Sequence, residues 1–534
     1  MQVSTGLPIS QGLAVGKIVF LGTQEAAARQ AGSPQEEQSR FEAAQRQAVD
    51  ALGALYEKAK AELGEQDAEI FSVHQLMAED EDFSDLVSAA IADGAEASEA
   101  VRQAGEQCAA MFSGMDDEYM RERAADVRDV AARICRILNG EAEHTITAPC
   151  LIAAEELTPS QTVQFPREFV LGMLTARGAA NSHTGILART LGVPAVSQLP
   201  VSAELHGRMA VLDGFSGTLT LDPDEKTLAE AAAKIAAQQA QREALRQLIS
   251  APSVTRDGRS IRLYANIAGT DDLPLLQRSG AEGVGLLRSE FLYLGRSTYP
   301  TEDELFESYK TIVQAMDGRE ILIRTLDIGA DKQADYFDMP PEDNPALGLR
   351  AIRLCLTRPI LFQTQLCAIL RASRYGNVGI MFPMVTGPDE LHRLKEALAD
   401  AEDVLIARGE RFGPYRVGVM IETPAAVFMS GELAGEVDFF SIGTNDLTQY
   451  LLAMDRQNPN LAPFCDPHHP AVLRAIRQTV ERAHQTGCTV GICGELAADE
   501  DLTEAFLRLG VDELSVAPSR ILPLRQKIRS LTLA

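Results

Sequence analysis

Apolar positions change their spacing several times along the chain, and each change predicts a different kind of element. The first 22 residues are short extended stretches punctuated by Gly6, Pro8, Gly12 and Gly16, with KIVFL (17–21) predicted as a strand. From about Glu25 the period becomes helical. Phe41, Ala44, Val49, Leu52, Leu55, Tyr56 and Ala59 share one helix face, and Val127, Val130, Ile134, Ile137 and Leu138 share another. The second run stops at Asn139-Gly140, a pair suited to a helix C-terminus because glycine enters the left-handed region freely. The stretch 25–143 is therefore expected to be all-helical, three or four helices long. From 146 to 222 the apolar runs shorten to CLIAA, EFVLGML, MAVLDG and TLTLD, separated by helical and glycine-rich segments, which is an α/β texture. The Ala/Gln-rich stretch 224–250 carries few large apolar residues and predicts a helical linker rather than a core element.

Beyond about 258, eight apolar runs alternate with helical patterns: IRLYANI (261–267), GVGLLRSE (283–290), EILIRTLDIG (320–329), NVGIMFPMV (377–385), VGVMIETP (417–424), FFSIGTNDL (439–447), TVGICGEL (489–496) and ELSVAP (513–518). Near-continuous Val/Ile/Leu/Phe runs are the signature of parallel strands covered on both faces. Eight of them over 258–534 match the size of a (β/α)8 TIM barrel. The polar residues Arg288, Arg324, Asp327, Glu422, Asn445, Asp446 and Cys493 fall at the C-terminal ends of these runs, where such barrels carry their chemistry. The expected fold class is α/β, with an all-helical stretch and a short α/β region before a C-terminal barrel.

Charge narrows the function. Lys plus Arg number 49 against 76 Asp plus Glu, a formal net charge of −27. Nucleic-acid binding needs a broad cationic footprint and is excluded, as is adhesion to an anionic membrane. No apolar run approaches the ~20 residues that span a bilayer, so no membrane insertion is expected. The opening MQVSTGLPIS lacks the basic and apolar regions of a signal peptide. Eight cysteines without a CxxC pair predict neither a disulfide framework nor a zinc ribbon. A soluble, reduced, cytoplasmic protein is expected.

Two places concentrate chemistry. In GAANSHTGILARTLGVPAV (178–196), Gly178 and the small residues after it form a permissive turn, and Ser182-His183 opens an amphipathic helix. A histidine on a first helical turn lies beside free backbone N–H groups, which favour an anion, and an imidazole nitrogen is nucleophilic near neutral pH. N-phosphorylation of His183 would place its oxygens at that terminus; a residue that merely packs or hydrogen-bonds is the competing reading. At the barrel, Glu422 and Asp446 follow neighbouring strands, and two hard oxygen ligands with open positions suit Mg²⁺ shared with a phosphorylated substrate. An ion pair with an arginine is the alternative for either carboxylate. Arg288, Arg324 and Arg456 offer planar forks for phosphate or carboxylate, with surface ion pairing as their alternative. Cys493 is either a small buried hydrophobe or a proton donor at a strand end. His468 and His469, in DPHHP, read as a loop rather than a metal site.

The segments SHTGILAR, GAEGVGLLRSEFLYL, IRTLDIGADK, NPALGLRAIR, MIETPAA, FFSIGTNDLTQY, MDR and CGELA, in this order and starting from GLPISQGLAVGKI, resemble the enzyme I family of the bacterial phosphoenolpyruvate:sugar phosphotransferase system. The resemblance implies that His183 accepts the phosphoryl group of phosphoenolpyruvate and passes it to a histidine of the phosphocarrier protein HPr, with release of pyruvate. It implies Mg²⁺ on Glu422 and Asp446. Arg288, Arg324 and Arg456 would hold the phosphate and carboxylate, with the Asn445-Asp446 backbone completing the pocket, and Cys493 would protonate the enolpyruvate. It also implies HPr docking on 25–143, a phosphohistidine domain made of 1–22 and 146–222, and a homodimer formed through the barrel. Where the family has Gly-Gly and Thr before the Ser-His pair, this chain has Ala179 and Asn181, departures that bear on rate and phosphohistidine stability. Ala330 replaces a common glycine. Pyruvate phosphate dikinase and phosphoenolpyruvate synthase share two of these domains but need an ATP-grasp domain before the histidine, for which 182 residues leave no Gly-rich loop. A nitrogen-responsive regulatory relay would carry an extra sensory domain, and an inactive scaffold would not need the full set of His, Arg, Glu, Asp and Cys.

Overall fold

Short β-branched runs and long periodic ones sort into two kinds of architecture in the computed structural model, which describes all residues except 23–30, 63–64, 115–117, 141–145, 158–164, 179–184, 186–187, 189–191, 330–334 and 534. Two units result, Met1–Ala240 and Gln241–Ala534.

In the first unit, eight strands form one sheet: β1 (Gln2–Thr5), β2 (Leu7–Ser10), β3 (Leu13–Phe20), β4 (Cys150–Ala154), β5 (Val170–Thr175), β6 (Ala195–Ser197), β7 (Met209–Asp213) and β8 (Thr218–Leu221). Their order is β1-β8-β7-β3-β4-β5-β6-β2, parallel from β3 to β6 and antiparallel elsewhere. β4 is fully buried, as its unbroken run CLIAA requires. Between the adjacent parallel strands β3 and β4 the chain makes helices α1 (Pro34–Glu62), α2 (Glu65–Ala78), α3 (Glu81–Ala92), α4 (Ala97–Ser113) and α5 (Glu118–Leu138). They share a core of Phe41, Leu52, Phe71, Val87, Val101 and Ile134.

The described residues thus hold five helices where periodicity predicts three or four. The extra breaks are made by polar caps that leave the apolar period intact. Asp80 accepts the Phe83 N–H at 2.9 Å to start α3, and Glu96 accepts the Ser98 and Glu99 N–H groups to start α4. The end of α5 follows the sequence: Gly140 sits at φ +65° and donates to the Ile137 carbonyl at 3.0 Å. The helix α6 (Glu225–Arg246) buries only Ala231, which fits its poverty in large apolar residues.

In the second unit each of the eight predicted runs contains a strand: β9 (Arg262–Ile267), β10 (Gly283–Arg288), β11 (Ile321–Arg324), β12 (Val378–Phe382), β13 (Tyr415–Ile421), β14 (Phe439–Ile442), β15 (Thr489–Ile492) and β16 (Glu513–Val516). They pair in parallel and close through β16 onto β9, so the expected barrel is formed. Alternation then sorts the side chains. Ile421, Ile442, Ile492 and Leu514 face the helical layer, in a core of nearly seventy residues' worth of packed side chains around the barrel. Leu286, Leu322, Met381, Met420, Phe439 and Cys493 make a second, small core inside it. A Cβ on Gly418 would collide with the Phe439 ring, so glycine there makes room for that ring inside the barrel. No helix among the described residues is long and apolar enough to cross a membrane, and the eight cysteines are free thiols.

Candidate active site

Inward positions along β13 run Gly418, Met420 and then Glu422, the first residue past the strand. Glu422 is 1% exposed, and its Oε1 accepts the Met384 backbone N–H at 2.6 Å. Met384 holds φ +57°, an uncommon conformation for a non-glycine residue, and that turn aims the N–H at the carboxylate. Gly443, which follows β14, presses on the other oxygen: a Cβ there would lie 2.7 Å from Glu422 Oε2. Immediately afterwards a helix begins (Thr444–Leu452), with Asp446 in its first turn. The short strand thus hands Glu422 and Asp446 to the same mouth from neighbouring strands, β13 and β14.

The arginines are bound into an alternating network. Arg324, the last residue of β11, donates to Glu290 at 2.5 Å and pairs with Asp327 at 2.9 Å, and its Nε has no hydrogen-bond partner among the described residues. Asp327 also accepts from Arg350 at 2.9 Å. Arg350 in turn lies 3.5 Å from Asp446 Oδ1, with Arg456 at 3.7 Å from the same oxygen, which makes no hydrogen bond among the described residues. Arg288 is exposed at the end of β10, in register with Arg324. Asn445 is clamped to Glu495, accepting its N–H at 2.9 Å. Cys493 follows β15 and is 5% exposed, its Sγ 3.6 Å from the Ile442 carbonyl oxygen. Burial pushes this thiol up to about 12, so it holds its proton at neutral pH.

Burial first, and then the Asp446 and Asp327 charges, push the Glu422 carboxyl well above the usual range, against the pull of Arg324 and Arg350. Asp446 Oδ1 meets Arg350 and Arg456 only at ion-pair distance, and it lies beside a carboxyl raised by its neighbours' negative charge, an arrangement that favours a further cation. The residues therefore fit a hard divalent ion. They form no closed cage: among the described residues no group of three or more His, Cys, Asp or Glu side chains converges as a metal site. Two carboxylates with open positions suit a metal shared with a phosphorylated ligand.

His183 lies outside the described residues, as do Ala179, Asn181 and Ala330. Gly178, just before them, holds φ +126°, and its carbonyl accepts the Ser197 hydroxyl at 2.8 Å. His468 pairs with Asp499 at 2.6 Å, and His469 accepts the Ala471 N–H at the start of a helix (Pro470–His484).

Three family descriptions match the chain: "PEP-utilising enzyme, PEP-binding domain" over residues 242–533, "PEP-utilising enzyme, N-terminal" over 5–123, and "PEP-utilising enzyme, mobile domain" over 146–217. Relatives named phosphoenolpyruvate-protein phosphotransferase include one from Bacillus sp. (strain S), 42% identical over 98% of this chain and 93% of its own length. One from Geobacillus stearothermophilus has the same identity and coverage, and one from Bacillus subtilis (strain 168) is 40% identical over 100% of this chain and 95% of its own. The chain belongs to the phosphoenolpyruvate-protein phosphotransferase family. It is an enzyme of the transferase class.

For this phosphotransferase, reading strand ends alone misses Glu290 and Arg350 and gives Asp327 no role. Arg350 stands in NPALGLRAIR, between apolar runs rather than at the end of one, so strand position offers no signal for it. It is 2% exposed and bridges two carboxylates, and its burial shows only in the folded chain.

Proposed function

We propose that this phosphotransferase moves the phosphoryl group of phosphoenolpyruvate onto His183 and from there to a histidine of HPr, releasing pyruvate. The reading rests above all on the Glu422–Asp446 pair, two buried carboxylates ringed by Arg324, Arg350 and Arg456. Mg²⁺ held by Glu422 and Asp446 would neutralise charge developing on the transferred group. Arg288 and Arg456, the more exposed cations, are available to the substrate's phosphate and carboxylate, and Arg324 presents its unpartnered Nε edge. The Asn445–Glu495 clamp holds the first turn of the helix that carries Asp446. Cys493 delivers its proton to carbon only when a base as strong as an enolate arrives, because burial opposes earlier ionisation.

HPr docks on the helical segment 25–143. In support, α2, α3, α4 and α5 line a groove of about 680 Å³ with Val73, Leu76, Met77, Phe83, Met111 and Val127, beside Asp80, Asp82 and Asp85. The enzyme works in the cytoplasm as a homodimer through its barrel, where Ile360 is 81% exposed and Phe464 71%. Incubation with ³²P-labelled phosphoenolpyruvate and Mg²⁺, with and without HPr, tests the proposal. Label should enter the chain, leave it for HPr, and be absent from His183→Ala. Acid-labile label persisting in that variant, or label that never reaches HPr, would overturn it.

A further inference from the structure

The barrel buries a second carboxyl that the mechanism above does not use. Glu513 opens β16, is 3% exposed, and its Oε1 has no hydrogen-bond partner among the described residues. Strand register sets it in an inward row with Gly491 of β15 and Ser441 of β14. Gly491 leaves room in that row: a Cβ there would lie 3.2 Å from Glu513 Oε1. Gly285 does the same on the opposite side, where a Cβ would collide with both Glu513 Oε1 and Ser515 Oγ. Ser441 Oγ is also buried with no partner in hydrogen-bond geometry, yet it faces the Cys493 thiol and favours its ionised form. Two unpartnered polar atoms therefore flank a glycine gap, across about one strand spacing (~4.8 Å) on either side. The Glu513 carboxyl leans into the space that a side chain at 491 would fill, and one water between it and Ser441 would complete a proton path. Asn266 secures the far side by donating to the carbonyls of Cys493 and Ser515 at 3.0 and 3.2 Å.

We propose that Glu513, acting through Ser441, returns a proton to Cys493 after each turnover. The inference rests on Cys493 being the acid of the proposed reaction. The Cys493 S–H bond breaks as the new C–H bond of pyruvate forms; the thiolate takes the Ser441 hydroxyl proton, and that oxygen is refilled from the Glu513 carboxyl through the bridging water. Glu513 recovers its proton from solvent at the barrel floor, where a cleft of about 850 Å³ reaches Arg262, Thr489 and Asp512. Glu513 does not touch the reacting atoms and is a positioning residue for this proton. Its ability to hold one has a physical cause: burial pushes the carboxyl up to about 8. Arg262 of β9 and Arg416 of β13 oppose that, while Glu320 before β11 and Asp512 reinforce it, and the nearby Tyr264 stays neutral.

The test follows pyruvate formation by rapid quench in the full chain with phosphoenolpyruvate, Mg²⁺ and HPr. In Glu513→Gln and Ser441→Ala the first equivalent of pyruvate should form at the wild-type rate. Later turnovers should slow by about 10²-fold, the lower end of what a positioned acid contributes, at unchanged KM. Wild type should acquire the same burst as pH rises through about 8, where Glu513 ionises, and Glu513→Gln should show no such step. Wild-type steady turnover in both variants, or loss of the first turnover as well, would overturn the relay. Cys493→Ala run alongside separates the two levels: unaffected turnover there removes the reading on which the relay rests, and slowed turnover leaves the relay to be judged on its own variants.

Discussion

Glu422 and Glu513 are carboxyls buried in the same barrel, one at its mouth and one near its floor, and both are held above the ordinary range. Burial is the leading cause in each case. The second cause separates them. Around Glu422 it is other carboxylates, Asp446 and Asp327, so an added cation would relieve the whole cluster. Around Glu513 the next influence is Arg262, which already favours ionisation, and a cation would be opposed there. Glu422 is also gripped by the Met384 N–H, whereas Glu513 Oε1 has no hydrogen-bond partner among the described residues. A raised carboxyl alone therefore does not mark a metal site; the sign of its neighbours does.

Removing Asp446 should break the contrast most severely. Asp446→Asn should let Glu422 ionise more readily, weaken Mg²⁺ binding measured by calorimetry, and cut phosphoryl transfer by about 10³-fold. Cys493→Ala should lower turnover by about 10²-fold while leaving calorimetric binding of phosphoenolpyruvate intact, since the thiol acts after binding. At the floor the effect should be one of stability. The Glu513 carboxyl rises from an ordinary 4.5 to about 8 on folding, so its contribution is fully present below 4.5 and is lost as pH climbs towards 8. Chemical denaturation should show Glu513→Gln removing roughly 5 kcal/mol of that pH-dependent loss. The smallest effect belongs to Arg456→Lys. Loss of the planar fork near Asp446 should raise KM for phosphoenolpyruvate about tenfold with little change in kcat.

Much of this was legible in the residues. Each run from IRLYANI to ELSVAP contains a strand, because parallel strands covered on both faces need unbroken apolar stretches. Glu422, Asp446, Cys493 and Arg324 gather at the mouth because parallel closure brings all eight C-terminal strand ends to one side. The helical stretch was legible as helix but not as five helices, since Asp80 and Glu96 interrupt the backbone without disturbing the apolar period.

Local pattern by itself determined the element types, the barrel and the set of candidate chemical groups, because hydrophobic period and turn chemistry act over a few residues. Only the tertiary structure decided which charges meet. Arg324 finds Glu290 34 residues away, and Tyr450 lies 100 residues from the Arg350 that donates to it. Strand register, not proximity in the chain, sets Glu513, Gly491 and Ser441 in one row across β16, β15 and β14. Pairing and burial set the energy of an ionisable group, and both are fixed by barrel closure, which no local stretch of sequence displays.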